Sequence, residues 1–148
     1  MIIMTATYLH RAITPMHPLL RNILAVLTGA VVCILLNGVL LELLMRTFPP
    51  PPGFEPETPA TYALLAPVHY VLPFAAHAIP SLIGGLIAAL IASDRKRTCA
   101  LAVGGLHLLG GIAAAFMIPA PAWFIVLDLT TAYLPMAWAG WRLVAHRH

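Results

Sequence analysis

The chain has 148 residues, of which 61% are hydrophobic and only 9% charged, and its mean hydropathy is +0.91. Soluble domains carry about 25% charged and 45–50% apolar residues. That excludes a soluble globular class, a disordered segment, a nucleic-acid binder with a solvated basic face and, with two cysteines, a secreted disulfide scaffold. About 90 apolar residues match what four membrane spans of roughly 20–24 residues need. The expected fold is an all-α integral membrane protein, a four-transmembrane-helix bundle forming a single domain over residues 1–148.

The segment Met1–Arg21 reads as a tail lying along the membrane surface. The first span is predicted over 22–45, with an apolar run from Ile23 to Leu41 closed by Glu42. Its length, and the Arg46-Thr47-Phe48-Pro49 that follows, argue for a retained span and against a cleaved signal peptide. The outer loop, 46–67, contains Pro49–Pro52, which favour a stiff polyproline II segment. Thr58 before Pro59 signals a helix start, and a short interfacial helix is expected over Pro59–Ala66. The loop reads as a spacer ahead of a lid or docking arm.

The second span is predicted over 68–92, the third over 98–118 and the fourth over 122–144, each long enough to cross about 30 Å of hydrocarbon as a helix. Pro73, Pro80 and Pro135 are expected to kink their helices and free backbone carbonyls. Ser81, Gly85 and Ala89, and Pro80, Gly84 and Ala88, recur at four-residue spacing; Gly104, Gly105, Gly110 and Gly111 leave little bulk on span three. Such faces let helix backbones approach, in a tight bundle or a homo-oligomer. Cys33 and Cys99 lie at different depths, so no disulfide is expected. Trp123, Phe124, Trp138 and Trp141 bracket span four as interfacial aromatic belts.

Arg11, Arg21, Arg95, Lys96, Arg97, Arg142 and Arg147 fall on one side of these spans and only Arg46 on the other. The excess of positive charge places both termini in the cytoplasm and the Pro-rich loop outside, in a multi-pass membrane protein. The net charge of +3 then faces lipid headgroups, not nucleic acid.

Depth within each span sorts the polar residues. Glu42 falls at the outer end of span one and Asn37 deeper; His69 opens span two and His77 lies roughly 12–14 Å below that edge. His107 is near the middle of span three, and Asp128 is about 9–10 Å inside span four with Tyr133 below it. A buried carboxylate must face the bundle interior and find a partner. No Lys or Arg lies at the depth of Asp128, which leaves histidine, hydroxyls, water or a bound cation as partners, with His77 and His107 the natural candidates. A His–Asp pair there would stabilise both groups and could move a proton near neutral pH.

Asp128 reads either as a functional group or as a structural partner of His77. His77 reads as part of a polar site ahead of a packed histidine bonded to a carbonyl freed by Pro73. For His107, among glycines, packing is the favoured reading, and for Asn37 an interhelical hydrogen bond. Glu42 reads as a solvated helical ion pair with Arg46. His69 stays open between interface and site, and His146-Arg147-His148 reads as a solvated end. No His-Glu-x-x-His or Cys-x-x-Cys pair supports a metal, and no cofactor or nucleophile motif is present.

Two stretches, His69…Pro73-Phe74…Ala76-His77-Ala78 and Ala120-Pro121…Trp123-Phe124…Asp128-Leu129…Ala132-Tyr133…Pro135-Met136-Ala137, carry a pattern, with Leu108–Ile112 just upstream. They resemble small four-helix bacterial membrane proteins of uncharacterised function. The resemblance implies a bacterial membrane protein and directs attention to His69, His77 and Asp128; it implies no activity, substrate or cofactor.

Three functions are expected, in this order. The first is binding or moving a small ligand, proton or cation at an intramembrane site around His77 and Asp128, open to the outer side. The second is a structural or accessory subunit of a membrane complex, its polar residues acting as interhelical glue and its Pro-rich loop docking a partner protein. The third is a metal-dependent membrane enzyme. Transport would require a dimer or larger assembly.

Overall fold

The structure, a computed structural model, describes residues 16–145. Most of the expected surface tail and the terminal His146-Arg147-His148 lie outside the described residues. The described residues form helices and no strand: α1 (Pro18–Thr47), a 3-10 helix (Pro59–Leu64), α2 (Val68–Ile91), α3 (Lys96–Met117), α4 (Ala122–Thr131) and α5 (Leu134–Ala145). Taking α4 and α5 together, four helices are long and apolar enough to cross a membrane.

α1 outruns its expected span at both ends. Pro18 sits in its first turn, where a missing N–H costs nothing, and the His17 ring accepts a hydrogen bond from the Leu19 N–H. It stops after Thr47, where Pro49–Pro52 can donate no further helical bonds. The expected interfacial helix is present but wound as a 3-10 helix, and Thr58 does not cap it. The Thr58 hydroxyl instead donates to Glu55 Oε2, tying the turn before the helix to its start.

The fourth span departs most from expectation. A single helix was predicted over 122–144, but α4 and α5 are separated at Ala132-Tyr133. Pro135 has no N–H for the carbonyl four residues back, and the chain loosens there. The Ala132 N–H still reaches Asp128 O and the Ala137 N–H reaches Tyr133 O, so the path continues in one direction through the break.

α2 is the hub, packing against α1, α3 and α5, while no packed interface joins α1 to α4. Both of its small-residue faces are used. A Cβ on Gly84 would lie 2.8 Å from Gly29 O of α1, and one on Gly85 would lie 2.6 Å from Ala137 O of α5. Backbone thus meets backbone on two sides of one helix. A Cβ on Gly104 would lie 2.7 Å from the Ala137 Cβ, whereas one on Gly105 or Gly110 would meet nothing within 4 Å. The small-residue faces of α3 are therefore only half used within the chain.

One core cluster is made of small residues, Ala25, Cys33, Ala88, Ala92, Cys99 and Val103, and another forms around Tyr133. Many large apolar residues point outward: Leu27, Leu35, Val39 and Val126 are exposed, and Phe116 is 88% exposed. At the end of α2 remote from the Pro-rich loop, Arg21 donates to Ile91 O, and the Asn22 side chain accepts from the Ser93 N–H and donates to Asp94 Oδ1. The Asn22 amide holds the Asp94 carboxyl below the usual carboxylate range.

Candidate functional site

At the loop end the helices part around a cavity of ≈ 540 Å³. Ile34, Asn37 and Leu41 of α1 form one wall and Phe124, Ile125 and Leu129 of α4 another; α2 and α3 contribute Leu72, Pro73, Gly110 and Ala114. Phe48, Pro50, Phe54, Pro56 and Tyr62 of the loop line it as well. The loop is held in shape by the Phe54–Tyr62 ring contact and by Thr61, whose hydroxyl accepts from the Glu55 N–H. The segment expected to be a spacer thus roofs a chamber.

The inner end of the chamber is polar. His77 Nδ1 lies 2.9 Å from Asp128 Oδ1 and 3.0 Å from Oδ2. Tyr133 donates its hydroxyl to Asp128 Oδ2 at 2.7 Å. Asp128 is 5% exposed and Tyr133 is fully buried. The break between α4 and α5 explains this geometry. Positions five apart on a regular helix lie about 140° apart around its axis. Loosening the turn before Pro135 lets Tyr133 swing back onto the carboxyl of its own span. The Tyr133 ring also stacks on His77, with centroids 5.5 Å apart, and meets His107 edge-on at 5.0 Å. Gly111 lies under the Tyr133 hydroxyl, where any Cβ would strike it.

His107 belongs to this cluster and is not merely packed among glycines. Its Nδ1 lies 2.9 Å from Ser81 Oγ and 3.2 Å from Cys33 Sγ. The Ser81 hydroxyl donates to His77 O at 2.7 Å, so in that arrangement His107 Nδ1–H donates to Ser81 Oγ. Both imidazoles therefore have Nδ1 engaged by protein. Every fully buried side-chain nitrogen or oxygen among the described residues has a hydrogen-bond partner. His77 and His107 line the cavity, and neither Nε2 has a partner among the described residues. Each Nε2 therefore keeps accessible surface, on a ring that lines the chamber.

Asn37 also lines the chamber, and its amide donates to Ala76 O at 2.8 Å. That carbonyl is the one Pro80 leaves free, four residues on. Its partner comes from α1, whereas His77, once considered as a partner for the carbonyl freed by Pro73, is committed to Asp128. His69 lines the chamber at its loop end and donates Nδ1–H to Ala66 O. Glu42 is not among the lining residues; it pairs with Arg46 at 2.8 Å, both side chains more than 60% exposed (64% and 77%).

From the sequence, Ser81 is placed only on a small-residue packing face and Cys33 only as a cysteine without a disulfide partner. The available signal was their spacing: Ser81 follows His77 by four residues and Cys33 precedes Asn37 by four, so each shares a helix face with a polar neighbour. Both cysteines are free. Among the described residues, no three His, Cys, Asp or Glu side chains are grouped so as to hold a metal ion. No family model matches the chain, nor does any curated protein or solved structure.

Proposed function

We propose that the protein is a multi-pass protein of a bacterial inner membrane that binds a small ligand in the chamber above His77 and Asp128. Both termini are cytoplasmic and the Pro-rich loop is outside, so that the chamber faces the outer side. The resemblance to small four-helix bacterial membrane proteins belongs to the same proposal. One observation carries it: a His77–Asp128–Tyr133 cluster, its acid and phenol buried, at the inner end of a cavity of ≈ 540 Å³. That volume falls in the range of about 300–1,000 Å³ that holds small organic ligands. The lining is mostly apolar with a few convergent polar groups, which is the composition of binding pockets. A cluster serving only as glue between helices would need no chamber over it.

Intact-complex mass spectrometry of the gently extracted protein tests the binding. Wild type is expected to retain a small molecule that Ala114→Phe, which fills the chamber, has lost while remaining folded. Identical spectra without a retained molecule would contradict the proposal. Orientation is tested with an impermeant maleimide added to intact cells: Glu57→Cys is expected to react and Lys96→Cys to be protected. The reverse pattern would invert the topology.

A further inference from the structure

We infer that the chamber takes an uncharged, lipid-soluble molecule with a hydrocarbon body and a hydrogen-bond-accepting head, such as a carbonyl group, which His77 Nε2–H receives. This rests on reading the chamber as a ligand site and names the chemistry of its occupant.

The head follows from the protons of the His77–Asp128 pair. Its carboxyl is buried and takes hydrogen bonds from His77 and Tyr133, and the described residues include no Lys or Arg ion-paired with it. A carboxylate beside a neutral imidazole would leave a net negative charge among apolar walls, a state that burial penalises. The pair is neutral overall in two ways. In one, Asp128 is ionised and His77 is an imidazolium, with hydrogens on both Nδ1 and Nε2. In the other, Asp128 is a carboxylic acid that donates to His77 Nδ1, so the single imidazole hydrogen sits on Nε2. Both arrangements present an N–H at Nε2, the nitrogen left without a protein partner on a ring that lines the chamber. Nearby, Tyr133 spends its hydrogen on Asp128 and Ser81 spends its own on His77 O. A cationic head would meet a donor and no free anion, so it is disfavoured.

The body follows from the walls. Ile34, Leu41, Leu72, Ile125 and Leu129 offer hydrocarbon contact, and no Lys or Arg lines the cavity to hold a charged or multiply polar molecule. Burying an alkyl chain there is favourable at about 25 cal/mol per Å² of apolar surface.

The test is saturation binding of tritiated nonyl methyl ketone to the full-length chain in detergent, with decyltrimethylammonium as competitor. Wild type is expected to bind the ketone saturably, one per chain, with no displacement by the ammonium. Ala114→Phe is expected to abolish binding. The double variant His77→Phe, Asp128→Asn removes the donor together with its charged partner, keeping a ring against Tyr133. It is expected to weaken ketone binding about tenfold or more, the scale of a lost charge-assisted hydrogen bond. Should that variant lose its fold by gel filtration, His77→Leu, which also lacks a donor, takes its place with the same expectation. Undiminished ketone binding in the variant, or displacement by the ammonium, would overturn the choice of head while the ligand site stood. Absence of saturable binding by either amphiphile, in wild type and Ala114→Phe alike, would overturn the ligand site itself.

Discussion

At the end of the bundle that holds Gly29, Gly84, Gly85 and Gly140, helices touch through their backbones. At the end that holds Asn37, His77, His107 and Asp128, the same helices part around a chamber. In lipid, helices have no hydrophobic drive to associate, so close backbone contact at one end supplies the dispersion that holds the bundle. That leaves the other end able to bear a cavity and a buried acid. The buried polar cluster sits at the chamber, directly beside the tight zone: Ser81, on the same helix, is only three residues from Gly84.

The comparison can be broken at its tight end first. Gly85→Val drives a side chain into the Ala137 backbone, 2.6 Å from a Cβ at that position. This is expected to cost more than about 3 kcal/mol, since backbone cannot yield as a side chain does. Gly105→Ala, with no neighbour within 4 Å, is the control and is expected to be neutral or to stabilise by up to about 1 kcal/mol. Thermal unfolding in detergent reads both.

At the chamber end, His77→Leu leaves the Asp128 carboxyl with Tyr133 alone. A loss of about 2–3 kcal/mol is expected, below the range for a wholly buried pair because Tyr133 still donates. A smaller effect follows at Asn37. Asn37→Leu strands the Ala76 carbonyl freed by Pro80 and is expected to cost about 1 kcal/mol in the same assay.

The smallest effect concerns pH at the end remote from the chamber. The Asp94 carboxyl is held low by the Asn22 amide, so its contribution is present above the ordinary carboxylate pKa of about 3.9. That contribution fades as pH falls through the lowered value in the folded protein. Wild type is expected to lose a small increment of unfolding temperature there that Asn22→Ala never had. A steeper fall in the variant would contradict this assignment.

Much of the architecture was legible because lipid-length apolar runs admit one regular solution. The helices α1, α2 and α3 overlap the expected spans, and only their ends differ. Depth along each span was enough to bring His77 to the level of Asp128. Rotation about each helix was not legible, because backbone contacts such as Gly29 against Gly84 and Gly85 against Ala137 set it. That rotation decides whether Ser81 and Cys33 meet His107 and sends Glu42 away from the chamber. The break at Ala132-Tyr133 was half legible: Pro135 announced a kink, but not that Tyr133 would fold back onto Asp128. The loop's role as a roof depends on packing across distant residues and had no local signature.

The claim on which the account turns is that Asp128 pairs with His77 and leaves a hydrogen on Nε2 facing the chamber. Nitrogen-15 NMR of the histidine-labelled protein, with His77 assigned by substitution, measures this directly. The expected result is a protonated Nε2 on His77 and ring shifts that move in Asp128→Asn. A His77 ring with a bare Nε2, or one exchanging like free imidazole and unmoved by Asp128→Asn, would contradict it.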